Sequence, residues 1–101
     1  MPFFMLHPKD IEQIRKQKNA IVVDLREKAD FMKWHYKNAC CMPYKENECW
    51  MEYFKKNMVY ILYCDYGNVS LMVARNLSKR EITAYTVVGG MNGIQHFQQQ
   101  N

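Results

Sequence analysis

Three short apolar runs punctuate the chain, at 20–23, 59–63 and 84–88, each rich in β-branched or aromatic side chains. Because apolar residues there do not alternate with polar ones, the runs predict strands covered on both faces. The stretches between them carry helical spacing. Residues 8–18 predict a helix, with Pro8 in its first turn, Ile11 and Ile14 on one face, and Asn19 as its stop. A second helix is predicted over 27–35. A third is predicted over 46–56, where Trp50, Tyr53 and Phe54 stand at i, i+3 and i+4 before Asn57. Ser70 is placed to cap a fourth that runs to Arg80, with Leu71, Ala74 and Leu77 facing the sheet. Gly89, Gly90 and Gly93 then predict a turn before a frayed, Gln-rich tail. Weaker strand patterns lie at 3–6 and at 39–42, before Pro43. Strands alternating with helices imply an α/β fold around a mainly parallel sheet.

The length of 101 residues suits one hydrophobic core, so residues 1–101 are expected to form a single domain. The net charge of +4 is spread along the chain with no block of like charges, which argues against a nucleic-acid partner. The longest apolar stretches are far short of the roughly 20 residues that cross a bilayer. Residues 1–6 lack the basic start and the length of a signal peptide, so the expected setting is cytoplasmic with no membrane contact. Cysteines stand at 40, 41, 49 and 64 without a Cys-x-x-Cys spacing, and four free thiols are expected.

The chemistry concentrates in Tyr63-Cys64-Asp65-Tyr66-Gly67-Asn68-Val69-Ser70, where an apolar strand ends on a cysteine and a helix opens six residues later. In parallel α/β sheets ligands bind beyond the carboxyl ends of the strands, which makes Cys64 a candidate by position. A loop closing onto a helix start turns its amides inward, and the helix dipole adds positive potential, so an anion such as a thiolate or persulfide is favoured there. Gly67 suits a positive φ or a close approach, and Asn68 tolerates left-handed geometry. On composition alone, a buried core thiol at a strand end is the favoured reading of Cys64, and context has to overturn it.

The segment Cys64-Asp65-Tyr66-Gly67-Asn68-Val69-Ser70 resembles the active-site loop of rhodanese sulfurtransferases: a cysteine, five loop residues and a small hydroxyl residue opening a helix. Ile21-Val22-Val23-Asp24-Leu25-Arg26-Glu27 is similar to the family's strand ending in Asp-x-Arg-Glu. His35-Tyr36-Lys37-Asn38-Ala39 resembles its His-x-x-x-Ala segment, and Pro43 falls where the family has proline. Ala74 and Arg75 resemble the helix after the loop, and Val87-Val88-Gly89-Gly90-Met91 the strand followed by a glycine pair. The resemblance spans residues 10–97. It implies a rhodanese-like, five-stranded sheet flanked by helices on both faces. It also implies a double displacement in which Cys64 takes a sulfane sulfur and passes it on, with Asp65, Tyr66, Gly67, Asn68, Val69 and Ser70 as the substrate-binding loop. The implied donor is a small sulfur-containing anion such as thiosulfate, or a protein persulfide; the acceptor is a thiol or cyanide. No organic or metal cofactor is implied.

The loop departs from the pattern in having no arginine and in carrying Asp65 directly after the cysteine. A carboxylate within about 5 Å of a thiol disfavours the thiolate and repels a dianionic donor. The alternative function is therefore a weak or inactive module for protein interaction or redox sensing. Asp65 either faces the sulfur or turns to solvent, and Tyr66 either lines the mouth or packs on the surface. Asp24 and Arg26 are expected to organise the strand end as an ion pair or cap, and His7, His35 and His96 are given no catalytic role. Cys40, Cys41 and Cys49 are expected in or beside the core, where one near Cys64 could accept its sulfur. A cysteine phosphatase needs an arginine closing its loop, whereas Arg75 lies well inside the helix.

Overall fold

The computed structural model describes residues 2–100; Met1 and Asn101 lie outside the described residues. Five strands, β1 (Phe4–Leu6), β2 (Ile21–Asp24), β3 (Cys40–Cys41), β4 (Val59–Tyr63) and β5 (Thr83–Val87), form one sheet in the order β1-β5-β4-β2-β3. Every pairing is parallel. The helices are α1 (Ile11–Lys18), entered through a 3-10 turn at Pro8–Asp10, then α2 (Lys28–Lys33), α3 (Glu48–Met51), α4 (Asn68–Lys79) and α5 (Gly90–Gln100).

The continuous apolar run of β4 has a direct explanation. Side chains alternate across a strand, so Tyr60, Leu62 and Cys64 enter one core while Ile61 and Tyr63 enter the other. The first core is closed by Trp50, Phe54, Val73, Ala74 and Leu77, the second by Ile11, Met91 and Ile94. Each such side chain, fully buried, contributes roughly 1.5–3 kcal/mol, so a strand apolar on both faces is a strong anchor for the loop attached to its end. From β2 the chain moves outward to β3, and from β4 it moves outward in the other direction to β5. The order reverses between β2 and β4, and a crevice opens at their carboxyl ends.

Several elements differ from the sequence expectation. The third helix is one turn, capped by Asn47 Oδ1, which accepts from the Trp50 amide at 2.7 Å. Beyond Met51 the amides of Glu52, Tyr53 and Phe54 donate to carbonyls three residues back, and the Lys55 amide leaves the helical path altogether for the Tyr60 hydroxyl at 2.8 Å. Trp50 and Phe54 are buried, but Tyr53 points to solvent. The fourth helix starts two residues before Ser70, so Ser70 is its third residue and not its cap. Asn68 is already helical; within the loop only Gly67 is left-handed, at φ 107°. The glycine pair does turn the chain, with φ 77° at Gly89 and 55° at Gly90, but a helix follows it where a frayed tail was expected. Met91 and Ile94, three residues apart, hold that helix to the second core. Their signal is diluted in sequence by glycine and glutamine.

Candidate active site

Cys64 is the first residue beyond β4 and is 4% exposed. Gly67 reverses the chain so that the first turn of α4 returns to the sulfur. The Gly67 amide donates to Cys64 Sγ at 3.1 Å and the Ser70 amide at 3.3 Å. Ser70 Oγ lies 3.6 Å from Sγ and Asn68 Oδ1 4.0 Å from it. A thiol can donate to one of these oxygens. Negative charge on the sulfur instead meets two amides and the positive end of α4.

The loop is fixed from behind. The Met91 amide donates to the Cys64 carbonyl at 2.7 Å and the Asn92 amide to the Asp65 carbonyl at 3.0 Å, so the start of α5 clamps the loop backbone. A Cβ on Gly90 would stand 2.4 Å from the Cys64 oxygen and 2.9 Å from that of Asp65. Only glycine permits this approach.

Beneath the loop, Asp24 is fully buried and Arg26 nearly so. The Arg26 guanidinium donates to both Asp24 carboxylate oxygens, with a shortest contact of 2.8 Å, and to the Trp34 carbonyl at 2.6 Å. Burial opposes the Arg26 charge, yet the hydrogen bonds and attraction of Asp24, helped by Tyr63 and Asp65, hold its pKa above the ordinary value. Burial, reinforced by the hydrogen bond to Asp24, pushes the Tyr63 phenol up as well. The Leu25 amide donates to the Tyr63 carbonyl at 2.9 Å, which ties the end of β2 to that of β4. Asp24 and Arg26 are thus the expected ion pair, supporting the strand ends.

Over the sulfur lies a cleft of about 380 Å³. Asp65, Tyr66, Asn68 and Val69 line it on the loop side, with Leu25, Glu27 and Tyr44 opposite. Behind the loop is a second cleft of about 230 Å³, where Asp65 and Tyr66 meet Lys33, Trp34 and Arg26. Tyr66 is 72% exposed and Asp65 is exposed, so both stand on the ridge between the clefts. All seven loop residues proposed from sequence are brought together here. Glu27, Tyr44 and the clamp from α5 were not among the site residues proposed from sequence; Glu27 entered only as the end of the Asp-x-Arg-Glu match and the clamp only through its glycine pair. Among the described residues no group of three or more His, Cys, Asp or Glu side chains is arranged to hold a metal ion.

A model of the rhodanese-like domain matches residues 7–96. The chain belongs to the rhodanese-like family. Among curated relatives of this rhodanese-like chain, the tRNA sulfurtransferase of Pyrobaculum aerophilum is 31% identical over 87 residues, which is 86% of this chain and 18% of that protein. The tRNA sulfurtransferase of Thermoplasma acidophilum is 34% identical over 68 residues, 67% of this chain and 14% of that protein. The chain therefore spans less than a fifth of the length of these two relatives. Among solved structures, the rhodanese-related protein of Thermoplasma volcanium superposes with a TM-score of 0.81 at 22% identity, covering 93% of this chain and 92% of that one. That likeness shows the fold.

Within this rhodanese-like domain the other cysteines need correction. Cys40 and Cys49 are exposed, and only Cys41 is partly covered. Cys41 pairs with Asp24 on β2, whose other neighbour is Tyr63 on β4. Cys41 thus sits two strand spacings, roughly 10 Å, from the end of β4. That is too far for a direct sulfur bond without backbone movement. Burial, with the negative charge of Asp24 adding to it, pushes the Cys41 thiol up, which further weakens it as an acceptor. No histidine lines the cleft over Cys64. Arg75 packs its guanidinium 6.0 Å from the Phe3 ring, away from the loop.

Proposed function

We propose that this rhodanese-like chain is a sulfurtransferase in which Cys64 carries the sulfur. The Cys64 thiolate attacks the outer sulfur of the donor. The donor S–S bond breaks, a new bond forms between Sγ and that sulfur, and the donor leaves as sulfite from thiosulfate or as a thiolate from a persulfide. A thiolate or cyanide then attacks the outer sulfur and releases Cys64 as thiolate, so no net oxidant or reductant is consumed. The observation that carries this reading is the convergence of two amides, at 3.1 and 3.3 Å, on a sulfur at the floor of a cleft. The loop that solvates the thiolate serves the persulfide equally, because both carry negative charge on sulfur. A cytoplasmic setting, where thiols stay reduced, belongs to the same proposal. The tRNA in the relatives' names is not carried over, since the scattered positive charge offers no basic block for it.

The test is mass spectrometry of the intact protein after exposure to thiosulfate or to a persulfide donor. The wild type is expected to gain one sulfur that cyanide removes as thiocyanate. Cys64→Ser is expected to gain none, while a variant with serine at 40, 41 and 49 still gains it. An adduct that survives Cys64→Ser refutes the assignment. The carboxylates of Asp65 and Glu27 at the cleft favour a second reading, a weakly active or inactive module for protein interaction or redox sensing. It predicts negligible turnover with every donor, and fast transfer from any of them eliminates it.

A further inference from the structure

Ser70 and Thr86 are the two neutral polar side chains buried behind Cys64, at 0% and 1% exposure. Their hydroxyl oxygens are 2.7 Å apart. Ser70 Oγ also lies 3.2 Å from the Gly67 carbonyl and 3.6 Å from Cys64 Sγ. Thr86 comes from β5, beside Leu62 of β4 and Met5 of β1, so the sheet and not the loop holds it.

A serine hydroxyl has one proton and two lone pairs. Around Ser70 Oγ stand one obligate acceptor, the Gly67 carbonyl; one group that changes role, the sulfur; and one group free to donate, Thr86. When Cys64 is a thiol, its proton goes to Ser70 Oγ or to the more distant Asn68 Oδ1, and the Ser70 proton goes to the carbonyl or to Thr86. When Cys64 is a thiolate or persulfide, the sulfur becomes an acceptor and the Ser70 proton is drawn to it. That reversal leaves Ser70 Oγ needing a donor in a place no water reaches, and Thr86 supplies it. A hydroxyl that accepts from a second hydroxyl is itself polarised into a stronger donor.

We infer that Thr86 is a positioning residue for Cys64, acting through the Ser70 hydroxyl to steer its proton from the Gly67 carbonyl onto the charged sulfur. The inference rests on the thiolate chemistry proposed above. It adds a buried third hydrogen-bond donor, set from the neighbouring strand, to the two backbone amides.

The experiment is a double-mutant cycle read by alkylation of Cys64 with iodoacetamide, an uncharged probe that reports sulfur reactivity without a sulfur donor. It uses the full chain at one near-neutral pH, with Cys40, Cys41 and Cys49 replaced by serine. Thr86→Val, which keeps the shape and removes the hydroxyl, is expected to slow alkylation roughly three- to tenfold, the size of a lost hydrogen bond between neutral groups, since Thr86 meets the sulfur only through Ser70. Thr86→Ser is expected to restore the rate. Ser70→Ala is expected to slow the reaction at least as much, and adding Thr86→Val to it should do nothing more, because the path through Ser70 is already cut. Thr86→Ala carries the same comparison should valine fail to pack. A Thr86 variant as fast as wild type overturns the inference, and so does a double variant whose losses multiply as independent structural damage would. Donor assays on the same proteins separate the two proposals. If the cycle holds and no donor loads Cys64, sulfur transfer is wrong and Thr86 stands; if donors load Cys64 and the cycle fails, only Thr86 falls.

Discussion

At the scale of single residues, the site sets opposing charges against one sulfur. The amides of Gly67 and Ser70 and the start of α4 favour negative charge at Sγ. Arg26 adds little to them, because its guanidinium is committed to Asp24 and the Trp34 carbonyl. The cleft is instead edged by the carboxylates of Glu27 and Asp65. A dianion such as thiosulfate must pass both. Replacing them together, Glu27→Gln with Asp65→Asn, is expected to speed loading of Cys64 from thiosulfate about three- to tenfold at low salt, the range for partly solvated charges several ångströms apart. The gain should shrink as salt rises, and the rate with uncharged iodoacetamide should change much less. Stopped-flow or quenched mass spectrometry checks this, and equal thiosulfate rates in wild type and variant remove charge as the filter.

At the scale of elements, the unit that presents the sulfur is larger than the strand, loop and helix that contain it. Helix α5 starts where it does because Gly89 and Gly90 take left-handed angles, and its first amides then reach the carbonyls of Cys64 and Asp65. Gly90→Ala places a methyl group against the Cys64 carbonyl and forces an L residue to a φ of 55°. Left-handed strain and a backbone clash together predict a loss of about 2–4 kcal/mol in urea unfolding. Slower loading of Cys64 should accompany it. Gln95→Ala, at an exposed position of the same helix, should be neutral to within about 0.5 kcal/mol. The glycine pair was legible in sequence as a turn, but its contact with the loop was not, since the two segments lie more than twenty residues apart.

At the scale of the whole molecule, the strand ends stay in place because the second face of the sheet is tied across long separations. Glu12 on α1 accepts from the Tyr36 hydroxyl at 2.7 Å and from Arg15 at 2.8 Å, and the Tyr36 amide donates to the Tyr63 hydroxyl at 2.9 Å. The hydrogen bonds from Arg15 and Tyr36 pull the Glu12 carboxyl from 4.5 down to about 2. The folded value lies below the unfolded one, so this contribution is fully present above pH 4.5 and is lost as pH falls towards 2. Glu12→Gln is therefore expected to lower stability near neutrality and to flatten its decline over that window, by a modest amount because the carboxylate is more than a third exposed. Thermal unfolding of both proteins across the window checks the sign, and parallel curves would remove Glu12 from the account.

The amino-acid sequence by itself determined the features that local pattern encodes: the doubly apolar β4, the glycine that reverses the loop, and the cysteine at the carboxyl end of a strand. Periodicity and backbone restriction act over a few residues, so they leave a readable trace. Only the tertiary structure decided which groups converge on the sulfur from elsewhere. Thr86 reads in sequence as one more β-branched strand residue, and Glu27 as the end of the Asp-x-Arg-Glu match with nothing local to place it at the cleft. Their roles arise from strand order and register, which bring β5 and the end of β2 beside β4 and which no local pattern encodes.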